Sequence, residues 1–434
     1  MTHGRSTERT VATGPLARVE GEGSLRVVVH DGVVADVALH IFEPPRFFEA
    51  LLQGRRHDEA PDITARICGI CPVAYQLSAC AAIEDACGVT VDDRISALRR
   101  LLYCGEWIQS HALHVYLLHA PDFLGCRDAV ELAERDRSAV ERGLGLKRTG
   151  NLVMETVGGR AVHPVNVKVG GFYRAPDPAA VAALAEPLRV ARQAALDTVS
   201  WVAGFDFPEV DHDYLFVALR HDEHYPIESG TVASSAGLRV GPSAFSDLVV
   251  EEQVARSTAL HARLGGHDTY LTGPLARYAI NSPVLPDLAH QAASAAGLGG
   301  VVRNPFRSIV VRAVELVCAC DDALRLVESY EPPDPPAVEV PPRAGIGFGA
   351  TEAPRGILLH RYELDADGRI VSARIVPPTS QNQLTIEDDL RRVVQQGLDL
   401  DDDELTRRCE QAVRNHDPCI SCAAHFLDVT VERT

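Results

Sequence analysis

The chain has 434 residues, of which 46% are hydrophobic and 24% charged, and its formal net charge is −18. This composition is typical of a globular protein and excludes a disordered chain, and the acidic balance argues against non-specific nucleic-acid binding. No run of about 18 uncharged apolar residues occurs, so no membrane-spanning helix is predicted. Residues 1–10 are polar and lack the apolar core of a secretory signal. With eleven cysteines, an odd number, the chain does not suggest a disulfide framework, and a reducing, cytoplasmic location is expected.

In chain order, the first pattern is a pair of β-branched runs, residues 25–29 and 33–40, on either side of His30-Asp31-Gly32. This pattern predicts a tight hairpin. Apolar residues at helical spacing then predict a long helix over 95–120, stopped by Pro121.

The second half of the chain carries further helix and turn patterns. Helical spacing recurs over 177–204 and 307–330, and six prolines within 331–342 predict a linker that is neither helix nor central strand. A second hairpin is predicted where residues 356–364 and 369–376 flank Asp365-Ala366-Asp367-Gly368. The acidic run 399–404 indicates the exposed start of a helix.

These patterns together predict an α+β fold that is mainly α-helical, with a long central helix bundle and small peripheral β-sheets or hairpins. A single domain over 1–434 is expected. Its predicted parts are an N-terminal hairpin (25–40), a mostly helical core (95–330), the proline-rich linker (331–342) and a C-terminal segment (343–434).

Two segments each contain a Cys-x-x-Cys pair: residues 66–71 (RICGIC), with Cys68 and Cys71, and residues 417–422 (DPCISC), with Cys419 and Cys422. Four thiolates form a soft donor set that selects zinc, iron–sulfur, or nickel and iron over hard cations. The pairs of a zinc ribbon usually lie about 15–20 residues apart, whereas these lie at opposite ends of the chain, and a thioredoxin-like redox site would not explain two pairs. The residues alone therefore leave the metal open.

Other motifs accompany the cysteine pairs in a recognisable order. They are 18–21 (RVEG), 158–164 (GGRAVHP) followed by Gly170-Gly171, 352–356 (EAPRG), and the completion of the last cysteine motif at His425. Together they resemble the large subunit of nickel–iron hydrogenases, nearly end to end. The residues of the first cysteine motif and the short chain look most like the cytoplasmic, bidirectional, NAD(P)-linked group of these hydrogenases. The resemblance implies reversible heterolytic cleavage of dihydrogen.

The resemblance also implies a set of metal ligands. Cys68 and Cys419 would be terminal nickel thiolates, and Cys71 and Cys422 would bridge nickel to an iron that carries carbon monoxide and cyanide. A second metal ion, magnesium or iron, would be held by Glu49 and His425. No iron–sulfur cluster is expected in this chain.

Several polar residues acquire roles by the same resemblance. Glu20 would take the proton that Cys419 receives, since a carboxylate beside a thiolate can act as a general base. Arg355, next to Pro354, would donate hydrogen bonds to a cyanide, and it is also a candidate base, although a buried guanidinium almost always stays protonated.

Three further residues complete the implied site. Asp122 and Asp417 resemble the acidic residues that surround this arginine, although each could instead be a helix-end or turn residue. Thr379 resembles the hydroxyl that bonds the second cyanide.

The sequence departs from the family at Tyr75, where a histidine is common, and it continues beyond His425 with residues 426–434, a tail that family members commonly lose. The partners implied are an iron–sulfur small subunit, flavin-containing NAD(P) diaphorase subunits, maturation proteins and a C-terminal endopeptidase, and no nucleic acid.

Three other classes of protein are alternatives to a catalytic subunit. A hydrogen sensor would use the same site, and the sequence separates it poorly from an enzyme. A quinone-binding structural subunit, as in respiratory complex I, loses the metal cysteines, all four of which are present here. A zinc-stabilised scaffold would not explain the acidic and basic motifs or the separation of the pairs.

Overall fold

The computed structural model describes residues 8–266 and 269–424 of the chain. About 49% of the chain is helical, and the strands form small, separate antiparallel sheets. The predicted fold class is therefore confirmed. None of the helices in the described ranges combines the length and hydropathy that a membrane crossing requires.

The α-helices of the described residues range in length from four to 22 residues. In chain order they are α1 (Phe48–Leu52), α2 (Ala60–Thr64), α3 (Pro72–Cys87), α4 (Asp93–Leu113), α5 (Ala120–Phe123), α6 (Ala129–Arg135), α7 (Arg137–Gly158), α8 (Pro178–Ala182), α9 (Ala185–Ala203), α10 (Pro242–Leu248), α11 (Pro274–Asn281), α12 (Asp287–Ala295), α13 (Ser308–Glu328), α14 (Pro378–Gln396), α15 (Asp402–Asn415) and α16 (Ile420–Ala423). Short 3-10 turns occupy His57–Glu59, Ala65–Ile67, Ser282–Val284 and Pro305–Arg307.

The strands pair with their neighbours in sequence. They are β1 (Glu8–Ala12), β2 (Gly23–His30), β3 (Val33–Ile41), β4 (Val167–Lys168), β5 (Gly171–Phe172), β6 (Val217–Arg220), β7 (Thr231–Ser234), β8 (Arg239–Val240), β9 (Val249–Gln253), β10 (Leu260–Leu264), β11 (Gly345–Ala353), β12 (Gly356–Leu364) and β13 (Ile370–Val376). The sheets have the orders β1-β2-β3, β4-β5, β6-β7-β8, β10-β9 and β11-β12-β13.

The predicted N-terminal hairpin is confirmed as β2 and β3. Its turn consists of Asp31 and Gly32, and both have positive φ, 49° and 78°. A two-residue turn of this kind matches the right-handed twist of the strands, and glycine adopts its conformation without strain. The hairpin ends at the pair His30–Val33, and β1 extends the sheet on the other side of β2.

The prediction that Pro121 stops the long helix is wrong. After α4 the chain forms a π-helical turn, His114–His119, and continues directly into α5, which contains Pro121 in its first turn. Proline lacks an N–H and its ring clashes with the carbonyl four residues earlier in an α-helix. A wider π turn immediately before the proline accommodates both effects.

The other predicted helices are confirmed, with small changes at their ends. The segment 177–204 forms α8 and α9, 307–330 contains α13, and Asp401 caps α15 within the acidic run. The second predicted hairpin is β12–β13. Residues 331–342 contain neither helix nor strand, but Val338 donates to the Gly170 carbonyl, so this segment lies against β5.

The interval 95–330, predicted to be mostly helical, also contains strands β4 to β10. The residues of β6 to β10 bury one apolar face against β11–β13 in a separate small core. Strands this short leave too few alternations for a period-2 pattern to be visible in the sequence.

The central bundle and the C-terminal sheet position the site. Helix α4 packs against α7 and α13, and α3 packs on β11 and β12. The backbones of α3 and β11 approach closely because β11 carries Gly347 and Gly349, where a Cβ would overlap the carbonyls of Ala82 and Ser78. The main hydrophobic core includes the start of α3 and the four motif cysteines.

Candidate metal centre

The two cysteine pairs from the chain ends meet in the main core. All four are buried, and their sulfur atoms lie within 4.8 Å of one another. The Sγ atoms of Cys68 and Cys419 are 3.5 Å apart and those of Cys71 and Cys422 are 3.8 Å apart. Two sulfurs bound to one ion at about 2.3 Å in tetrahedral geometry lie roughly 3.8 Å apart. The Sγ atoms of Cys419 and Cys422 lie 2.6 Å apart, so an ion between them would separate this pair.

The first pair is shaped by its own backbone. Cys68 follows the 3-10 turn Ala65–Ile67, and Cys71 immediately precedes α3. The backbone N–H groups of Ile70 and Cys71 both donate to Cys68 Sγ at 3.3 Å. Pro72 at the first position of α3 has no N–H to satisfy, which favours a helix start directly after the cysteine. The loop therefore favours a thiolate at Cys68.

The second pair is held by side chains from distant parts of the chain. The N–H of Cys419 donates to Thr379 Oγ1 at 3.0 Å, at the start of α14. The guanidinium of Arg46 donates to the carbonyl of Ser421 and, at 2.7 Å, to that of Ile67 in the first loop. Arg46 thus joins the two cysteine segments. Thr379 positions the Cys419 backbone in this arrangement, a role that the sequence did not suggest.

Glu20 lies beside Cys419. Its Oε2 atom accepts from Cys419 Sγ at 3.1 Å and from the N–H of Ser421 at 3.0 Å. The backbones of Glu20 and Cys419 also form an isolated parallel β-bridge. The N-terminal segment is therefore fixed against the second cysteine pair through main chain and side chain together.

Arg355 occupies the tip of a two-residue hairpin turn. Ala353 pairs with Gly356 across the turn Pro354–Arg355. Gly356 has φ of 137°, and a Cβ there would lie 2.6 Å from Thr272 Cγ2. Only glycine combines this backbone conformation with so close an approach. The pentapeptide 352–356 therefore places one guanidinium at the core end of the hairpin.

The guanidinium of Arg355 is paired on one side only. Nε donates to the carbonyl of Asp417 at 2.7 Å, and Nη2 to its Oδ1 at 3.1 Å. Burial opposes the charge, yet Asp417 and the neighbouring Cys419 thiol keep the pKa of Arg355 above its ordinary value. Nη1 is buried and has no hydrogen-bond partner among the described residues. A buried donor of this kind calls for an acceptor.

The donor set and this free N–H fit the implied cofactor. Four thiol sulfurs suit nickel and iron, and Arg355 Nη1 offers a hydrogen bond to a small acceptor ligand. Burial raises the pKa of Cys419 and Cys422, whereas hydrogen bonds from the other thiols lower that of Cys68 well below its ordinary value.

The structure does not bring Asp122 to Arg355. Its carboxylate accepts instead from Arg414, at 2.7 and 2.9 Å, and from Arg18 through a very short hydrogen bond. Asp122 lies in α5, which the π turn directs toward the N-terminal segment. Among the acidic residues predicted around Arg355, only Asp417 pairs with it.

Glu49 lies in the first turn of α1, and its Oε1 accepts from the N–H of Ile375 at 2.6 Å. His425, its predicted partner, and the tail 426–434 lie outside the described residues. The carbonyl of Ala424, the residue before His425, accepts from the N–H of Arg46 at 3.1 Å. The chain therefore approaches the α1 region at the end of the described part.

Tyr75, the departure from the family pattern, faces the same centre. It lies on α3 and is 1% exposed. Burial raises its pKa well above the ordinary value, and the thiols of Cys422, Cys71 and Cys419 raise it further. Its ring packs 5.8 Å from that of His360.

A buried ionic network behind the Arg355 turn was missed by sequence analysis. Arg277 is fully buried and pairs with Glu315 at 2.8 Å and with Glu352 at 3.0 Å. It also donates to the carbonyls of Ala353 and Pro354. Burial raises the pKa of Glu352 to about 7. Arg277 therefore fixes the backbone of the hairpin that carries Arg355.

The sequence string TGPLAR occurs at 13–18 and 272–277, and its second copy contacts the hairpin that carries Arg355. In the second copy, Arg277 braces the Arg355 turn, and Thr272 Oγ1 accepts from the N–H of Ile357. In the first copy, Arg18 pairs with Asp122.

The buried Glu106 was also missed. It lies on α4, and its carboxylate accepts from the N–H groups of Val73 at 2.6 Å and Ala74 at 3.2 Å. Burial raises its pKa well above the ordinary value. An acidic residue within the apolar part of a predicted helix was the only sequence signal.

Comparisons with known proteins agree with this geometry. A family model described as nickel-dependent hydrogenase matches residues 46–151. The chain is 33% identical over 418 residues to sulfhydrogenase 1 subunit alpha of Pyrococcus furiosus, an alignment that covers 95% of this chain and 97% of that protein. It is 27% identical over 474 residues to the NAD-reducing hydrogenase HoxS subunit beta of Cupriavidus necator, with 96% and 95% covered.

Solved structures are similar over nearly the whole chain. An NAD+-reducing nickel–iron hydrogenase in the H2-reduced state superposes with a TM-score of 0.86 at 27% identity, covering 97% of this chain and 100% of that one. A nickel–iron–selenium hydrogenase from D. vulgaris Hildenborough gives a TM-score of 0.76 at 23% identity, with 96% and 100% covered. The second likeness shows a common fold.

Proposed function

Because the chain belongs to the nickel-dependent hydrogenase family, we propose that it is the catalytic large subunit of an NAD(P)-linked nickel–iron hydrogenase. The observation that carries this proposal is the convergence of four buried cysteines with Glu20 and Arg355 at their edge. The similarity to proteins named as NAD-reducing hydrogenases supports the link to nicotinamide.

We propose that Cys68 and Cys419 are terminal nickel ligands and that Cys71 and Cys422 bridge nickel to iron. When bound, the two metals supply the redox chemistry that splits dihydrogen into protons and electrons. The iron would carry carbon monoxide and cyanide, and Arg355 Nη1 is the buried donor available to a cyanide. Thr379, whose Oγ1 accepts from the N–H of Cys419, is the hydroxyl proposed for a second cyanide.

Glu20 would carry the proton away from the centre. The Cys419 thiol already donates to Glu20 Oε2 at 3.1 Å, within the reach that a general base requires. Asp417 would hold the Arg355 guanidinium in place and balance its charge. Asp122, paired with Arg18 and Arg414, would instead stabilise the segment that leads to Glu20.

We further propose that Glu49 and His425 hold a magnesium ion or a second iron. The hydrogen bond between Arg46 and Ala424 supports their proximity. Electrons would leave to an iron–sulfur small subunit and then to flavin-containing diaphorase subunits, and maturation proteins and an endopeptidase would complete the site. A cytoplasmic location is proposed because all eleven cysteines are free thiols.

The experiment that tests this function is infrared spectroscopy on the matured protein, purified with its partner subunits. We expect carbon monoxide and cyanide stretches, together with dihydrogen-dependent reduction of NAD+ or NADP+. The variant Arg355→Lys should shift the cyanide stretches because Nη1 is lost. Correctly matured protein without these bands would contradict the cofactor, and bands without nicotinamide reduction would contradict the electron acceptor.

A further inference from the structure

A buried carboxylate behind the second cysteine pair has no part in the proposed chemistry. Asp389 lies on α14 and is 1% exposed. Its Oδ1 atom accepts from His212 Nδ1 at 2.6 Å and from the Tyr214 hydroxyl at 2.8 Å. Its Oδ2 atom accepts from His416 Nε2 at 2.8 Å and from the same hydroxyl at 2.7 Å. Burying a carboxylate is costly, so one with three directed donors indicates a specific role.

The surroundings of Asp389 keep it ionised. Burial opposes its charge, but the hydrogen bonds from His212 and His416 lower its pKa below the ordinary value. Arg392 and Asp211 are the further charged groups that act on Tyr214 in this cluster. A carboxylate held between two imidazoles makes short, charge-assisted hydrogen bonds, which are stronger than neutral ones.

His416 links this cluster to the metal centre. It follows α15 directly and precedes Asp417, whose φ is 51°. This left-handed conformation is uncommon for a residue with a side chain and persists where the surroundings hold it. The conformation directs Asp417 to Arg355, which binds both its carbonyl and its carboxylate.

Helix α14 holds the segment 416–419 at both ends. Thr379 accepts from the N–H of Cys419, and Asp389 accepts from His416. Asp417 therefore lies between the two attachments of this segment to α14.

We propose that Asp389 is a positioning residue that holds His416, and through it the Asp417 turn, so that Arg355 faces the cysteine centre. The inference rests on the proposed function, because the orientation of Arg355 matters only at a loaded metal site. Without this attachment the strained Asp417 turn can relax, and its ion pair with Arg355 loosens.

The test uses Asp389→Asn, which keeps the shape but removes the charge, in the matured complex. The matched control is Asp388→Asn, the same change at the neighbouring, half-buried position of α14. We expect Asp389→Asn to retain nickel and to shift the cyanide infrared bands by more than their width, whereas the control leaves them unchanged. In an Arg355→Lys background the additional shift from Asp389→Asn should vanish, because the two residues act through one contact.

Hydrogen–deuterium exchange gives a readout that does not depend on the cofactor. The peptide covering 416–424 should exchange about tenfold faster in Asp389→Asn than in the control. If Asp389→Asn fails to fold, Tyr214→Phe removes one donor and should give a smaller change in the same direction. Lower stability with unchanged bands and unchanged local exchange would overturn the proposal. Absence of the bands in the unmodified protein would instead refute the cofactor, and exchange would still test Asp389.

Discussion

The two cysteine pairs occupy the same centre but are built in different ways. Cys68 and Cys71 lie in a loop whose own N–H groups bond Cys68 and whose second cysteine starts a sixteen-residue helix. Cys419 directly precedes the four-residue helix α16, which contains Cys422, and the contacts of this segment come from Glu20, Thr379 and Arg46, far away in the sequence. The first pair is preorganised locally, whereas the second depends on completed tertiary structure. During folding, the C-terminal cysteine pair is therefore expected to reach its final position after the first pair.

The largest effect is expected from removing a thiol of either pair. Cys68→Ala and Cys422→Ala should each lower nickel from about one to less than about a tenth per chain, since a metal site of this kind needs all its ligands. Elemental analysis measures this. The control is Cys80→Ala on α3, a buried thiol whose pKa burial raises to about 12, and it should retain nickel. Full nickel in Cys422→Ala would show that the second pair is dispensable.

The next effect concerns the contact that joins the N-terminal segment to the second pair. Glu20→Gln should slow exchange between dihydrogen and D2O by about 100- to 1,000-fold, because the amide cannot accept the proton from Cys419. Nickel content should not change. The control is Glu22→Gln, at an exposed position two residues later, which should catalyse this exchange at the rate of the unmodified protein. Loss of nickel in Glu20→Gln would mean that Glu20 is structural.

Acid should weaken the ionic network behind the Arg355 turn. His111 on α4 is buried, and burial lowers its pKa from 6.5 to about 4, although Glu315 lies 3.0 Å away. The unfolded chain takes up this proton below pH 6.5 and the folded chain does not, so stability falls as the pH drops from 6.5 to 4. At pH 4.5 this one group should cost about 2.5 kcal/mol.

Urea unfolding of the protein and of His111→Gln at pH 7 and pH 4.5 measures this contribution. The variant should lose less stability between the two pH values than the unmodified protein. Equal losses would contradict a neutral, buried imidazole at this position.

The smallest effect should be confined to the second pair. Thr379→Val leaves the buried N–H of Cys419 without an acceptor and should cost about 1–3 kcal/mol. Thr379→Ser keeps the hydroxyl and is the control. Hydrogen–deuterium exchange should rise in the peptide covering 416–424 but not in that covering 66–72. A uniform rise in both peptides would remove the distinction between the pairs.

Sequence reasoning succeeded where the signal was local. The Cys-x-x-Cys pairs, the Asp31-Gly32 turn and the amphipathic spacing of α9 and α13 are each readable within a few turns of chain. The family resemblance carried by the motifs is confirmed by a relative 33% identical over 95% of the chain. Local patterns and ordered motifs therefore gave the fold class and the location of the centre.

Prediction from sequence failed for residues whose partners lie on distant elements of the fold. Asp122 was expected beside Arg355, but a π turn that no periodicity predicts directs it to Arg414. Asp389 and Arg277 are charged residues within helices that would ordinarily be expected at the surface, and only tertiary packing buries them. Contacts between residues on different elements leave no regular spacing to detect in a single sequence.

In the proposed centre, thiolates from both ends of the chain bind one nickel ion. X-ray absorption at the nickel edge of the matured protein tests it most directly, with Cys422→Ser as the comparison. We expect nickel surrounded by sulfur at about 2.3 Å, the distance typical of first-row metal thiolates, and fewer sulfur ligands around any nickel that the variant retains. Nickel in an oxygen and nitrogen shell, or zinc alone at the four cysteines, would contradict it.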